Sequence, residues 1–148
     1  MTQAQTPAQD HATALISRLE TCEPEVRAFT TYDPVRIRTD AATACSGPLS
    51  GLSVGVKDII DMAGYVTTHG SPVYDGNMPR ADAACVTQLR QAGAACAGKT
   101  VTTEFAFFRP GPTVNPHAPT RTPGRPSSRS AAAVARGGVD SGLASQAP

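Results

Sequence analysis

Apolar residues along the first hundred positions fall into short periodic runs, and each run predicts one element. Over 8–21, Ala12, Leu15, Ile16 and Leu19 recur at helical spacing, which predicts an amphipathic helix with one buried face. Glu23 to Phe29 continues as a short helical or irregular piece ending at the Tyr32-Asp33-Pro34 turn, and the polar stretch 35–46 reads as a connector. Leu52, Val54 and Val56 then alternate with Ser53, Gly55 and Lys57, the period of two expected of a strand. Over 82–92, Cys85, Val86, Leu89 and Ala92 share one face of a second helix, with Asp82 at its electropositive start and Gly93 placed to end it. Ala94 to Gly98 predicts a short buried strand. Strand, helix and strand in that order imply an α/β layer.

Composition changes the picture past residue 108. Leu, Ile, Val and Phe supply 14 of the 60 residues from Leu49 to Phe108, but only four of the 40 from Arg109 to Pro148. Charge splits at the same place, with net −3 over 1–108 and net +4 over 109–148. The last forty residues therefore cannot bury much surface by themselves. Over the whole chain, 13 Lys and Arg against 12 Asp and Glu leave net +1, so there is no cationic surplus to hold nucleic acid. The chain reads as globular, short of core, and a piece of something larger.

Cysteine and histidine placement excludes further classes. Cys22, Cys45, Cys85 and Cys96 have neither the paired spacing of a zinc site nor the density of a disulfide framework, and are expected as scattered, small buried thiols. His11, His69 and His117 lack a carboxylate or cysteine pattern that would make them a metal set. The first fifteen residues have no basic start followed by an apolar stretch, and no apolar run approaches the roughly 20 residues that cross a bilayer. No membrane partner is expected, and cytoplasm is the expected compartment.

Three segments carry candidate chemistry. Lys57 lies on the face of its strand opposite Val54 and Val56, among Gly51, Ser53 and Gly55, where another backbone or a ligand can approach closely. A lysine in such a dry site becomes a neutral base; a solvated lysine beside Asp58 is the alternative. Thr122 to Ala135 places Ser127, Ser128 and Ser130 ahead of an alanine-rich helix, whose start they can cap and whose N–H groups can hold an anion. Gly93-Ala94-Ala95-Cys96-Ala97-Gly98-Lys99-Thr100 matches the phosphate-loop pattern letter for letter. A genuine phosphate loop follows a strand and opens a helix, whereas this one follows a helix and leads into Val101-Thr102-Thr103, which favours extended chain.

The stretches GPLSGLSVGVKDIIDMAGYVTTHGSP (47–72), ADAACVTQLRQAGAACAGKTVTTEFAFF (81–108) and NPHAPTRTPGRPSSRSAAAVA (115–135) closely resemble the amidase signature family, in collinear order. That resemblance implies the N-terminal part of an α/β fold, a mixed sheet flanked by helices, over residues 1–137, with 138–148 a divergent, disordered tail. It also implies hydrolysis of the C–N bond of a small-molecule amide, with no metal or organic cofactor. In the family a serine attacks the carbonyl, a second serine relays the proton, and a neutral lysine is the terminal base. Lys57 matches that lysine.

The family's Gly-Gly-Ser-Ser-Ser-Gly-Ser loop falls on 124–130. The relay position is therefore Pro126, which has no hydroxyl, and Arg125 and Arg129 stand where the family has glycine. Ser127 is the relay candidate if the loop shifts register by one; Gly124 and Ser128 are candidates for substrate binding. The nucleophile is expected about two dozen residues after the relay, near position 150, so the chain reads as truncated before it and inactive alone. Two alternatives stand beside this reading: nucleotide binding at 93–100, and a non-catalytic fragment that self-associates or joins another chain through exposed core.

Overall fold

The computed structural model describes residues 6–107, 112–118, 120 and 127–145. Helix α1 spans Pro7–Val26, and its start is doubly fixed. Thr6 and Gln9 exchange side-chain to backbone hydrogen bonds as a capping box, and Pro7 takes the first helical position. Its buried face is Ala12, Leu15, Ile16, Leu19 and Val26, the predicted stripe extended by two turns. Arg27 ends it in the left-handed region at φ 51°. The Glu23 carboxylate accepts from the amides of Ala28 and Phe29, turning the chain into strand β1, Phe29–Thr31.

The stretch 35–46, read as a connector, is mostly helix: α2 spans Pro34–Thr43. Only Ile37 is fully buried, so no apolar stripe announces it. Its signal is the cap instead. The Asp33 carboxylate accepts from the amides of Val35 and Arg36, and Pro34 holds the first helical position.

Four strands form one mixed sheet in the order β1-β3-β2-β4. Strand β2 (Ser53–Lys57) pairs in parallel with β3 (Ala95–Thr100), and helix α3 (Ala84–Gln91) crosses between them. Gly93 follows at φ 91°, where a side chain would meet Ser50 Oγ at 2.5 Å, so the predicted stop is required twice over. Asp82 does not cap α3. The cap position is Ala83, and Asp82 accepts from the Ala63 amide and pairs with Arg90 at 3.2 Å.

Helix α4 spans Ser128–Ala135 and strand β4 spans Ser141–Leu143. The segment from 138, expected as a structureless tail, is thus part of the sheet: Val54, Val56 and the glycine between them pair in parallel with Ser141, Leu143 and Gly142. Val139 is buried, and Asp140 accepts from Ser53 N and Ser53 Oγ at 2.9 and 2.6 Å and pairs with Arg18 at 2.8 Å. Backbone pairing and one carboxylate hold this stretch, so its apolar content underestimated its order.

All five residues of β2 are buried, Ser53, Gly55 and Lys57 included, because β3 and β4 flank the strand and α4 packs against it. At Gly55 an added Cβ would lie 2.8 Å from Thr100 Cγ2, so the close approach expected there is made by the sheet itself. One apolar cluster joins α1 and α4 through Leu15, Leu19, Ala132, Ala133 and Val139; a second holds Val56, Met62, Tyr65, Val86 and Cys96. The four cysteines are free, but only Cys96 is buried and Cys45 is exposed, a correction to the expectation of uniformly buried thiols. Among the described residues no helix is long and apolar enough to cross a membrane.

Candidate active site

Lys57 ends the central strand with its side chain wholly removed from solvent. Its Nζ lies 3.3 Å from Ser127 Oγ, 3.1 Å from Ser145 Oγ and 3.1 Å from the Ser145 carbonyl oxygen. The sheet register produces this meeting. Val56 pairs with Leu143, so the chain leaving β4 runs past the end of β2 and brings Ser145 alongside Lys57. Ser127 occupies the cap position of α4, yet its side chain makes no capping bond there; its hydroxyl donates to the Ser145 carbonyl. The start of α4 is pinned over the sheet by a 2.7 Å hydrogen bond between Thr100 Oγ1 and Ser130 Oγ. Gly142 passes so close that an added Cβ would lie 2.9 Å from Ser130 Cβ.

The partners of Lys57 suit a neutral amine as well as an ammonium. An amine donates twice and accepts once, and both hydroxyls can reverse their sense to donate to it. Burial pushes the Lys57 pKa below the ordinary lysine value, and the nearby Arg129 guanidinium pushes it the same way. Arg129 is itself 1% exposed, and its Nε and Nη1 have no hydrogen-bond partner among the described residues. Sequence reasoning placed it as an intrusion into the loop; the structure turns it inward beside the lysine.

The second lysine settles the phosphate-loop reading. Residues 93–100 form a turn and then strand β3, with no helix opened. Lys99 is fully buried and spent on other work: its Nζ donates to the Ile60 carbonyl and to Thr67 Oγ1, and lies 3.4 Å from the Asp58 carboxylate. It has no face on which to meet a nucleotide phosphate. Asp58 is therefore the partner of Lys99, and the alternative of a solvated Lys57 beside Asp58 falls with it. His11, His69 and His117 stay apart, and no group of three or more possible metal ligands occurs among the described residues.

Comparison with known proteins bears on the same residues. The family model described as Amidase matches residues 10–147. The chain belongs to the amidase family. Among curated members, it is 43% identical over 129 residues to the amidase-family component of the glutamyl-tRNA(Gln) amidotransferase of Methanospirillum hungatei, covering 83% of this chain and 28% of that protein. Among solved structures, the native peptide amidase of Stenotrophomonas maltophilia superposes with a TM-score of 0.78 at 30% identity, over 89% of this chain and 31% of that one. An inhibitor-bound chain from a vestigial complex related to an s-triazine catabolic enzyme gives 0.82 at 33%, over 90% and 33%. The chain thus spans about a third or less of these amidase relatives. The family match passes through the boundary drawn at 137 and takes in β4, so likeness to the family does not stop at Arg136.

Of the site residues read from the sequence, the structure brings Lys57 and Ser127 together. Ser128 opens α4, half-buried, one residue further on. Gly124, with Arg125 and Pro126, lies outside the described residues. Sequence reasoning passed over Ser145, which had no apolar pattern around it; only the parallel register of β4 could have pointed to it.

Proposed function

We propose that this chain carries the base end of an amide-cleaving site, with Lys57 as the proton acceptor and Ser127 as the relay hydroxyl. The observation that carries the reading is a lysine buried to 0% exposure whose Nζ neighbours are neutral oxygens, with a cation rather than a carboxylate close by. A neutral Lys57 takes the proton of the Ser127 hydroxyl, and that oxygen in turn draws a proton from a nucleophilic hydroxyl attacking the carbonyl. On cleavage the same chain returns the proton to the leaving amine, so Lys57 ends as it began. Ser127 lies one place after Pro126 and takes the relay role by register shift. The nucleophile that the family resemblance sets near position 150 belongs to the whole protein, whose substrate is a small-molecule amide and whose compartment is the cytoplasm. Residues 1–148 alone are expected to turn over no small amide.

The test uses the chain's two lysines, Lys57 and Lys99. With 13C-labelled lysine, NMR titration resolves one ε-carbon for each, assigned by Lys57→Met. The Lys57 signal is expected to titrate below the ordinary lysine value. A Lys57 signal titrating at or above it overturns the base assignment.

A second reading has its own observation. Val73, Met78, Phe105 and Phe107 are large apolar residues more than half exposed, which fits a surface covered by further polypeptide. Size-exclusion chromatography with light scattering is expected to give a dimer or larger species for residues 1–148. A stable monomer overturns self-association.

A further inference from the structure

We propose that Arg129 is an anion-binding group of this site, taking the carboxylate of a ligand whose other end is an amide. The inference rests on the amide-cleavage reading for the amide end alone; the carboxylate end is argued from Arg129 itself.

A guanidinium with 1% exposure, two of its nitrogens lacking any partner among the described residues, carries a large desolvation penalty. Such a group is matched when an anion completes it, and a carboxylate fits the guanidinium fork with two parallel hydrogen bonds. Its position adds to the argument. Arg129 lies in the first turn of α4, where backbone N–H groups lack helical acceptors and favour negative charge, so a cation there is otherwise misplaced. Lys57 stands near enough to feel it, and among the described residues neither cation forms an ion pair with a carboxylate. The Lys57, Ser127 and Arg129 constellation is thus a positively charged recess missing one anion. A short dicarboxylic acid monoamide supplies both ends, its amide directed to the Lys57–Ser127 pair and its carboxylate to Arg129.

Calorimetry on residues 1–148 with succinamate and with its neutral counterpart succinamide tests this without any turnover. The wild-type chain is expected to bind succinamate about tenfold tighter or more, the size of one good charged contact. Arg129→Gln and Arg129→Met are each expected to remove that preference and leave succinamide binding unchanged. An equal affinity for both ligands, or a preference that survives either substitution, overturns the proposal. A second readout needs no variant: carboxylate on Arg129 cancels its repulsion of Lys57, so the Lys57 titration moves upward with succinamate and stays put with succinamide. A Lys57 signal indifferent to succinamate also overturns it. Because binding is read, a failure here leaves the base assignment standing, and a failure of that assignment leaves the carboxylate preference measurable.

Discussion

Two lysines, on adjacent central strands and both fully buried, have been given opposite surroundings. Lys99 sits among groups that demand a full ammonium: the Ile60 carbonyl can only accept, and so can the Asp58 carboxylate 3.4 Å away. Lys57 sits among two hydroxyls that can accept or donate and one carbonyl, with Arg129 as its charged neighbour. Burial lowers the pKa of both, but at Lys99 Asp58 opposes the fall, whereas at Lys57 Arg129 adds to it. Equal burial therefore yields two different chemical groups. One is a structural cation that closes the loop 58–68 onto the sheet, and the other is an amine held ready to accept a proton.

The largest break in this comparison comes at Asp58. Its oxygens accept from the Thr68 amide and hydroxyl as well as facing Lys99, and the residue has no solvent contact. Asp58→Ala leaves a buried ammonium without its counter-charge, an unfavourable change of about 3–5 kcal/mol. Urea denaturation is expected to report that loss, enough to unfold much of a marginally stable chain. Adding Lys99→Met to the same variant removes the orphaned charge and should restore most of it. A single variant as stable as the wild type would mean that Lys99 does not need its partner. The equivalent lesion at the other lysine, Ser127→Ala, deletes a neutral hydroxyl and is expected to cost only about 1 kcal/mol.

How far these roles were legible beforehand follows from what kind of signal fixes each residue. The helical stripe of α1 and the alternation around β2 are local patterns, and both elements lie where periodicity put them. Helix α2 escaped because one buried residue makes no stripe, although its Asp33-Pro34 start was in plain view. Strand β4 escaped for another reason. Its place depends on β2, which comes more than eighty residues earlier, and on the Asp140 carboxylate meeting Ser53 and Arg18. The site divides the same way. Lys57 could be singled out from its small neighbours and the family likeness, but Ser145 and the inward turn of Arg129 are products of sheet register and helix packing. Lys99 shows the reverse error, in which a perfect eight-letter match belongs to a strand whose lysine is already occupied.

The smaller and more discriminating effect is expected from Lys57→Met, which keeps the side chain's length and removes its ability to be charged. In the folded chain the Lys57 pKa lies below the ordinary value of 10.5. Between those two values the unfolded chain binds the proton and the folded chain does not. Wild-type stability therefore rises with pH across that window, and below it the folded state bears the full penalty of a buried ammonium. Methionine carries no such penalty, so the variant should be more stable than wild type by about 1 kcal/mol near neutral pH. That advantage should shrink as pH climbs toward 10.5, where the wild-type amine is neutral in both states. Urea midpoints measured from pH 6 to pH 10, on the order of the range spanned by these values, give the comparison directly. Lys99 contributes the same background to both proteins, so the difference isolates Lys57. Parallel curves would show that Lys57 is a settled ammonium like Lys99, and the contrast between the two lysines would be lost. Converging curves instead fit a site that gives up stability to keep one amine unprotonated, the trade expected where a residue is held for chemistry rather than for the fold.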